Sequence, residues 1–189
     1  MGSAMARITI IPHQAAWAGQ FRMAAEALLP LCPPGATIHH IGSTAIPGLS
    51  AKDVIDIQIS VPRLEDFPPA GLTAAGYTDR GLAEDHAPAG MHLSAPNLQK
   101  RYFSRTSPAL HVHVRERGRF NQSFALLCRD FLRASPHAVA AYEAVKQELA
   151  ARFPTDKAAY NAVKNPVFDL IMAGAREWAA RTGWTPPDA

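Results

Sequence analysis

Two short segments of this 189-residue chain alternate apolar and polar residues with a period of two. They read IDIQI at residues 55–59 and LHVHV at residues 110–114. Successive side chains of a strand point to opposite faces of its sheet, so each segment predicts a strand with one apolar and one polar face. If the two strands are neighbours in one sheet, a carboxylate, an amide and two imidazoles meet over an otherwise apolar surface.

The polar face of these strands is open to two interpretations. Asp56, Gln58, His111 and His113 could form a solvated outer face, where such residues are common. They could instead bind a metal, position a phosphate or transfer protons. A charge within a strand is costly unless it is paired or used, which makes Asp56 the residue to explain.

A Gly-Ser-Thr turn after the preceding strand favours the functional interpretation. Gly42 lets backbone amides approach an anion closely, and the hydroxyls of Ser43 and Thr44 add donors. The segment is not a Walker A loop, because no Gly-Lys-Ser/Thr follows at the required spacing, and it is not a Rossmann fingerprint.

The periodicity along the chain predicts an α+β fold, a β-sheet flanked by helices and followed by a C-terminal helical segment. Strands are predicted at 37–41, 54–61, 101–105 and 110–115, with a weak strand opening at 76–78. A helix is predicted from Trp17 to Leu28, and a short one within 62–75. Residues 81–96 are predicted to form an exposed loop, a candidate lid.

From Phe120 onward, three apolar stripes at helical spacing predict three consecutive amphipathic helices. We expect Thr155 to cap the last helix and Gly174 to allow close packing of its apolar face. Proline lacks the amide donor and crowds the preceding turn, so Pro166 is expected to kink or restart that helix.

Length and composition predict a single domain over residues 6–189, with a sheet core at 6–118 and helices at 119–182. Residues 1–5 resemble a cloning scar. The two cysteines lack CxxC spacing and are expected to be free thiols. No secretory segment and no 18-residue apolar stretch is present, which predicts a cytoplasmic protein with no membrane partner. The net charge of +3 suits an anionic ligand but is weak evidence for nucleic acid, which is not expected as a partner.

Several motifs together resemble a known family. Residues 40–49 read HIGSTAIPGL, Ala51-Lys52 follows, and residues 55–57 read IDI. This stretch closely resembles the signature of the GrpB family, a branch of the nucleotidyltransferase superfamily. The resemblance covers most of residues 8–175 and continues through 101–103, 111–114, 129–132 and 160–164.

The resemblance implies a nucleotidyltransferase-like mixed sheet and a phosphate chemistry. In active members of the superfamily, two carboxylates on one strand and a third from a neighbouring strand hold two Mg²⁺ ions that bridge a triphosphate. Asp56 matches the first carboxylate, Gln58 occupies the second position, and the third falls to His111 or His113. A neutral amide is a poor Mg²⁺ ligand, so one divalent ion is expected, with Mn²⁺ or Zn²⁺ suiting the imidazoles better than Mg²⁺.

The predicted site therefore has two groups of residues. The candidate catalytic and metal-binding residues are Asp56, His111 and His113. The candidate substrate-binding residues are Gly42, Ser43, Thr44, Lys52, Gln58, Arg101, Lys146 and Lys164. Lys100 is a further basic residue that could meet phosphates, whereas Asp85 and His86 in the predicted lid have no other support. Asp53 is expected to point away from the site, because its offset from Asp56 is odd.

The predicted function is binding of a nucleotide, such as a nucleoside triphosphate, or of another phosphorylated small molecule. Nucleotidyl transfer with one divalent metal is the catalytic version of this prediction. Two alternatives stay open. One is a non-catalytic binding or folding-helper domain, linked to coenzyme A metabolism because GrpB-like domains occur fused to dephospho-CoA kinase. The other is a repurposed metal-dependent or acid–base enzyme on a non-nucleotide substrate. The sequence predicts neither the substrate nor the oligomeric state.

Overall fold

The computed structural model describes residues 7–187, so the suspected cloning scar lies outside the described residues. Five strands and five α-helices follow one another within these described residues. The strands are β1 (Thr37–Ile41), β2 (Ile55–Val61), β3 (Thr78–Glu84), β4 (Gln99–Thr106) and β5 (Ala109–Glu116). The helices are α1 (Ala16–Leu28), α2 (Pro69–Ala74), α3 (Phe120–Ala134), α4 (Pro136–Arg152) and α5 (Lys157–Thr182).

The five strands form one mixed sheet in the order β1-β2-β5-β4-β3. Strands β2 and β5 are parallel, and the other neighbours are antiparallel. The register places Asp56 beside His111 and Gln58 beside His113. The predicted α+β class is therefore confirmed, and the two alternating segments are neighbours in the sheet.

One face of the sheet carries the main apolar core. The isoleucines at 55, 57 and 59 and the valines at 112 and 114 are at most 2% exposed on this face. They pack with Trp17 and Leu28 of α1 and Leu72 of α2. The alternation of apolar residues in β2 and β5 thus determines which side of the sheet is covered by the N-terminal helices.

The C-terminal helices lie over the opposite face of the sheet. Arg129 of α3 donates from Nη1 to the backbone oxygen of His40 in β1 at 3.1 Å. Between the helices, Leu132, Tyr142 and Phe168 belong to a second apolar cluster. A Cβ atom at Gly174 would lie 3.4 Å from the Phe131 ring, so this glycine lets α5 approach α3 closely, as predicted.

Three local predictions differ from the structure. The predicted loop at 81–96 begins within β3. This edge strand alternates between exposed and half-buried residues and contains Gly81 with a positive φ, so no run of apolar residues in the sequence indicates a strand there. Asp156 caps α5 in place of Thr155, because its carboxylate accepts from the Ala159 amide at 2.9 Å. Helix α5 does not restart at Pro166, since Val167 and Phe168 just beyond it remain helical and pack into the second apolar cluster.

Candidate functional site

Asp56 lies at the centre of the polar face, on β2. Its Oδ1 is 3.2 Å from Nδ1 of His111 and 3.7 Å from Nε2 of His113. Parallel pairing of β2 with β5 brings both imidazoles to this carboxylate from the neighbouring strand. The structure thus brings together the three residues predicted as catalytic.

These contacts determine the ionisation of Asp56. Burial by itself raises the pKa of the Asp56 carboxyl group, but the hydrogen bond from His111 and the nearby His113 imidazole outweigh burial. The pKa of Asp56 therefore falls far below its ordinary value. The residue is a carboxylate, an obligate acceptor, at any pH near neutral.

The Gly-Ser-Thr turn supports Asp56 from the end of β1. Gly42 has φ +70° and ψ −171°, a backbone conformation accessible in practice only to glycine. A Cβ atom there would lie 2.9 Å from the Cβ of Asp56 and closer still to its Oδ2. Thr44 is buried, lies 3.0 Å from Nε2 of His40 and donates to the Val54 carbonyl, so its hydroxyl is engaged within the protein.

A cavity of about 540 Å³ opens over this face, between the sheet and the C-terminal helices. This volume lies within the range of small-molecule sites. Among the residues that line it are Gly42, Ser43, Thr44, Lys52, Asp56, His111, His113, Lys146 and Lys164. All nine of these residues were predicted to be catalytic or substrate-binding. Apart from Thr44, whose hydroxyl is engaged within the protein, eight predicted residues therefore share one cavity.

A group of lysines forms one wall of the cavity, and we call Lys52, Lys146, Lys157 and Lys164 the lysine wall. Within the described part of the chain, no carboxylate lies at ion-pair distance from any of them. Lys157 was not predicted, because only its place at the start of α5, facing the cavity, distinguishes it from an ordinary surface lysine.

Burial and crowding lower the pKa of three members of the lysine wall, Lys52, Lys146 and Lys164, in the free protein. The pKa of Lys146 falls to about 7, mainly because of burial and also because of the charges of Lys164 and Lys52, while Glu143 opposes the shift. Burial also lowers the pKa of Lys52 and of Lys164, and neighbouring lysines act in the same direction. A multiply charged anion in the cavity would relieve this repulsion.

Aromatic rings accompany the lysines. Lys52 lies 5.5 Å from the ring centroid of Tyr160, Lys146 lies 5.2 Å from that of Tyr142, and Lys164 lies 5.8 Å from that of Phe168. All three rings line the cavity. The wall thus combines positive charge with flat apolar surfaces.

Two predicted binding residues lie outside the cavity. Gln58 is fully buried; its Oε1 accepts from Arg115 Nη1 at 2.6 Å, and its Nε2 donates to Ser60 Oγ and the Gln122 carbonyl. It occupies a structural position, because the sheet and α3 close over it. Arg101 lies on the opposite face of the sheet, where it contacts the Phe103 ring and forms an ion pair with Asp79.

Two further residues belong to the site. Lys100 alternates with Tyr102 along β4, so both face the same side as His113. The Lys100 ammonium forms an ion pair with Asp85 and lies 3.1 Å from Nδ1 of His113. The same period-two argument that grouped His111 with His113 could have placed Lys100 here, whereas Asp85 follows β3 and carries no sequence signal. Asp53 instead accepts from Trp17 Nε1 at 2.7 Å, away from the site as expected.

The residues at Asp56 fit a divalent ion only in part. One ligand atom from each of Asp56, His111 and His113 lies within 4.8 Å of the others. A metal-bound imidazole, however, normally donates its second ring N–H to an acceptor. The second nitrogen of His113 faces the Lys100 ammonium, which can only donate. His113 therefore does not fit as a ligand in this arrangement.

The fold and cavity together define a small α+β protein with a cationic cavity over a carboxylate–imidazole cluster. The chain belongs to the GrpB family, because the family model described as GrpB protein matches residues 7–174. A crystal structure of the conserved protein GrpB from Enterococcus faecalis superimposes with a TM-score of 0.71 at 25% identity, covering 90% of this chain and 99% of that one.

Longer relatives share the same segment. The chain is 37% identical over 201 residues to a dephospho-CoA kinase of Mycolicibacterium paratuberculosis, covering 97% of this chain and 49% of the relative. It is 35% identical over 178 residues to a UPF0157 protein of Pseudomonas aeruginosa, covering 89% and 68% respectively. The chain thus spans about half the length of the dephospho-CoA kinase. Among residues 7–187, no helix has the length and apolar character needed to cross a membrane.

Proposed function

We propose that the cavity binds a nucleotide or another phosphorylated small molecule. The single observation that carries the proposal is the lysine wall, in which four lysines face one cavity and, among the described residues, no carboxylate lies at ion-pair distance from them. Lys146 is buried, and Lys52 and Lys164 are half-buried beside it. Charges of one sign held together away from water are costly without a counter-ion, so the site favours an anion. A phosphorylated ligand supplies several negative charges at once.

The cavity also has an apolar surface for the part of the ligand that carries no phosphate. Phe168, a half-buried ring beside Lys164, offers a flat surface that suits a nucleobase or another planar group, whereas Tyr142 and Tyr160 are buried. The dephospho-CoA kinase name of longer relatives adds coenzyme A and dephospho-CoA to the candidates. The nucleotidyltransferase superfamily, implied by the sequence motifs, adds the nucleoside triphosphates.

A thermal-shift panel tests this proposal. The ligands are ATP, CTP, GTP, UTP and coenzyme A, each with Mg²⁺, Mn²⁺, Zn²⁺ or no metal. A ligand that binds only the folded state raises Tm by mass action. Lys164→Gln should weaken binding roughly tenfold through loss of one charged contact. Arg101→Gln, a matched control on the other face of the sheet, should leave it unchanged. Absence of any shift with wild-type protein would overturn the proposal.

Nucleotidyl transfer assisted by one divalent ion is a second candidate. The observation in its favour is the closeness of the ligand atoms of Asp56, His111 and His113, and the Lys100 contact at His113 counts against it. The assay is release of pyrophosphate from each nucleoside triphosphate with and without metal, in wild type and Asp56→Asn. Metal-dependent release that disappears in the variant supports transfer. No release with any ligand that binds would leave the protein a binding domain.

A further inference from the structure

Both ring nitrogens of His113 face a charged partner. Nδ1 lies 3.1 Å from Nζ of Lys100, and Nε2 lies 3.7 Å from Oδ1 of Asp56. An ammonium group can only donate, and a carboxylate can only accept. Lys100 therefore requires an unprotonated Nδ1, and Asp56 favours a proton on Nε2, so both contacts select the same tautomer of the neutral ring.

Lys100 is itself held in place. Its ammonium forms an ion pair with Asp85, whose carboxylate also accepts from Arg115 Nε at 2.8 Å and from Asn121 Nδ2 at 3.1 Å. The Arg115 side chain is 7% exposed and is fixed from the other side by Gln58. The position of the ammonium at His113 is thus set by a largely buried polar network.

His111 is arranged differently from His113. Its Nδ1 faces the same Oδ1 of Asp56 at 3.2 Å, so that nitrogen carries the donated proton. Its Nε2 has no hydrogen-bond partner among residues 7–187. The side chain is 35% exposed and lines the cavity. A carboxylate that orients an imidazole and leaves the other nitrogen open is the arrangement of a general base.

We propose that Lys100 fixes His113 as the Nε2–H tautomer, so that His113 positions Asp56 and does not ligate a metal, while His111 is the proton acceptor of the site. A hydroxyl group of the ligand, or a water molecule, gives its proton to Nε2 of His111. The O–H bond breaks, an N–H bond forms and the electron pair stays on the oxygen. The imidazolium charge faces the Asp56 carboxylate until the proton passes to solvent. This inference goes beyond the proposed function, because it does not depend on which ligand fills the cavity.

The tautomers can be observed directly. Long-range proton–nitrogen NMR correlations on uniformly ¹⁵N-labelled protein, without ligand, report which ring nitrogen carries the proton. We expect Nε2–H for His113 and Nδ1–H for His111. An Nδ1–H tautomer at His113 would overturn the proposal, and this readout needs no variant to fold. Because no ligand is present, its failure is distinct from a failure of ligand binding.

Two variants test the role of Lys100. Lys100→Met removes the donor, so the His113 tautomer should shift towards a mixture with Nδ1–H. Arg101→Met removes a positive charge from the neighbouring position of β4, on the other face of the sheet, and should leave both tautomers unchanged. An unaltered His113 signal in Lys100→Met, with the amide spectrum showing a folded protein, would contradict the assigned role.

Zinc titration separates the positioning role of His113 from a ligand role. If zinc binds, the Nε2–H proton of His113 should persist in the NMR spectrum of the zinc-loaded protein, because a nitrogen that coordinates a metal cannot keep its proton. Complete absence of zinc binding also agrees with the proposal. Loss of the Nε2–H proton of His113 on zinc addition would show that His113 is a ligand and would overturn the inference.

Discussion

At the scale of single residues, the site depends on how closely Gly42 approaches Asp56. No side chain fits between them, because a Cβ at position 42 would overlap the space of the carboxylate. The glycine also has a backbone conformation that other residues rarely adopt. The glycine at position 42 therefore allows the Asp56 carboxylate to lie where it does.

Gly42→Ala should destabilise the protein by about 1–3 kcal/mol and displace Asp56. Gly48→Ala is the matched control, since Gly48 also has a positive φ, of +79°, but a Cβ there would meet nothing within 4 Å. Urea unfolding measures the stability of both variants, and the His111 ring signals report the displacement. Equal changes in the His111 signals of the two variants would contradict the close-approach argument.

Gln58 shows where the prediction from sequence was incomplete at this scale. Strand alternation places its side chain on the same face as Asp56, yet β2 carries it beneath α3, outside the cavity. The two-carboxylate pattern of the superfamily identifies Gln58 as the second position, but it does not show that this side chain is buried. Burial depends on where a helix more than 60 residues later packs.

Gln58→Glu should therefore destabilise the protein by about 1–3 kcal/mol without creating a metal site. The substitution removes the donor to Ser60 and to the Gln122 carbonyl and buries a second acceptor there. Gln99→Glu makes the same change at an exposed strand position and should stay within about 0.5 kcal/mol of wild type. Urea unfolding and zinc titration are the measurements, and tighter zinc binding in Gln58→Glu would be the contrary result.

At the scale of elements, the segment after β3 is hydrogen-bonded to α5. Asp169 of α5 accepts from His86 Nε2 at 2.9 Å and from the Ala89 amide at 3.2 Å. Asp85 and His86 line the cavity, so this segment forms part of its rim. We call residues 85–98 the strap. The predicted lid at 81–96 therefore consists of the end of β3 and most of this strap.

Asp169→Ala should loosen this strap. Amide hydrogen exchange across residues 85–98 should speed up by about tenfold, most clearly at Ala89, because the fastening contact to α5 is lost. Glu148→Ala, which removes a carboxylate from an exposed ion pair on α4, is the control and should not change exchange in the strap. Unchanged exchange in Asp169→Ala would mean that other contacts hold the segment.

Strong periodicity made most of the elements predictable. Strand β1 has the predicted bounds, β2 begins one residue later than predicted, and the three C-terminal helices lie where their apolar stripes indicated. Strand β3 was not predicted as a full strand, because Thr78–Glu84 is an edge with little apolar signal. The lysine wall gathers residues from a loop and two helices, so only the packed fold shows that they face one another.

At the scale of the whole molecule, His40 links stability to pH. The pKa of His40 falls to about 4, mainly because of burial and also because of the charges of Arg133 and Arg129, while Asp56 opposes the shift. The unfolded chain takes up a proton near pH 6.5, but the folded protein does not. Stability contributed by neutral His40 is therefore complete above about pH 6.5 and falls as the pH drops towards 4.

Unfolding free energy should consequently decrease by about 2 kcal/mol between pH 7 and pH 5 through His40 alone. Urea unfolding across this range measures the slope. Burial also lowers the pKa of His113 to about 4, so His40→Asn should roughly halve the slope, whereas His137→Asn, at an exposed position, should keep it in full. A wild-type slope retained in full by His40→Asn would exclude this residue as the cause.

The most direct test of the account is the binding of inorganic tripolyphosphate, measured by isothermal titration calorimetry. This probe carries the charges of a nucleotide without its base, so it reports on the lysine wall alone. We expect wild type to bind it, with an affinity that falls as salt rises. Lys52→Gln combined with Lys164→Gln should weaken binding roughly a hundredfold, while Arg101→Gln should not. Absence of binding in wild type, or equal affinity in the double variant, would contradict the central claim that the lysine wall is a phosphate site.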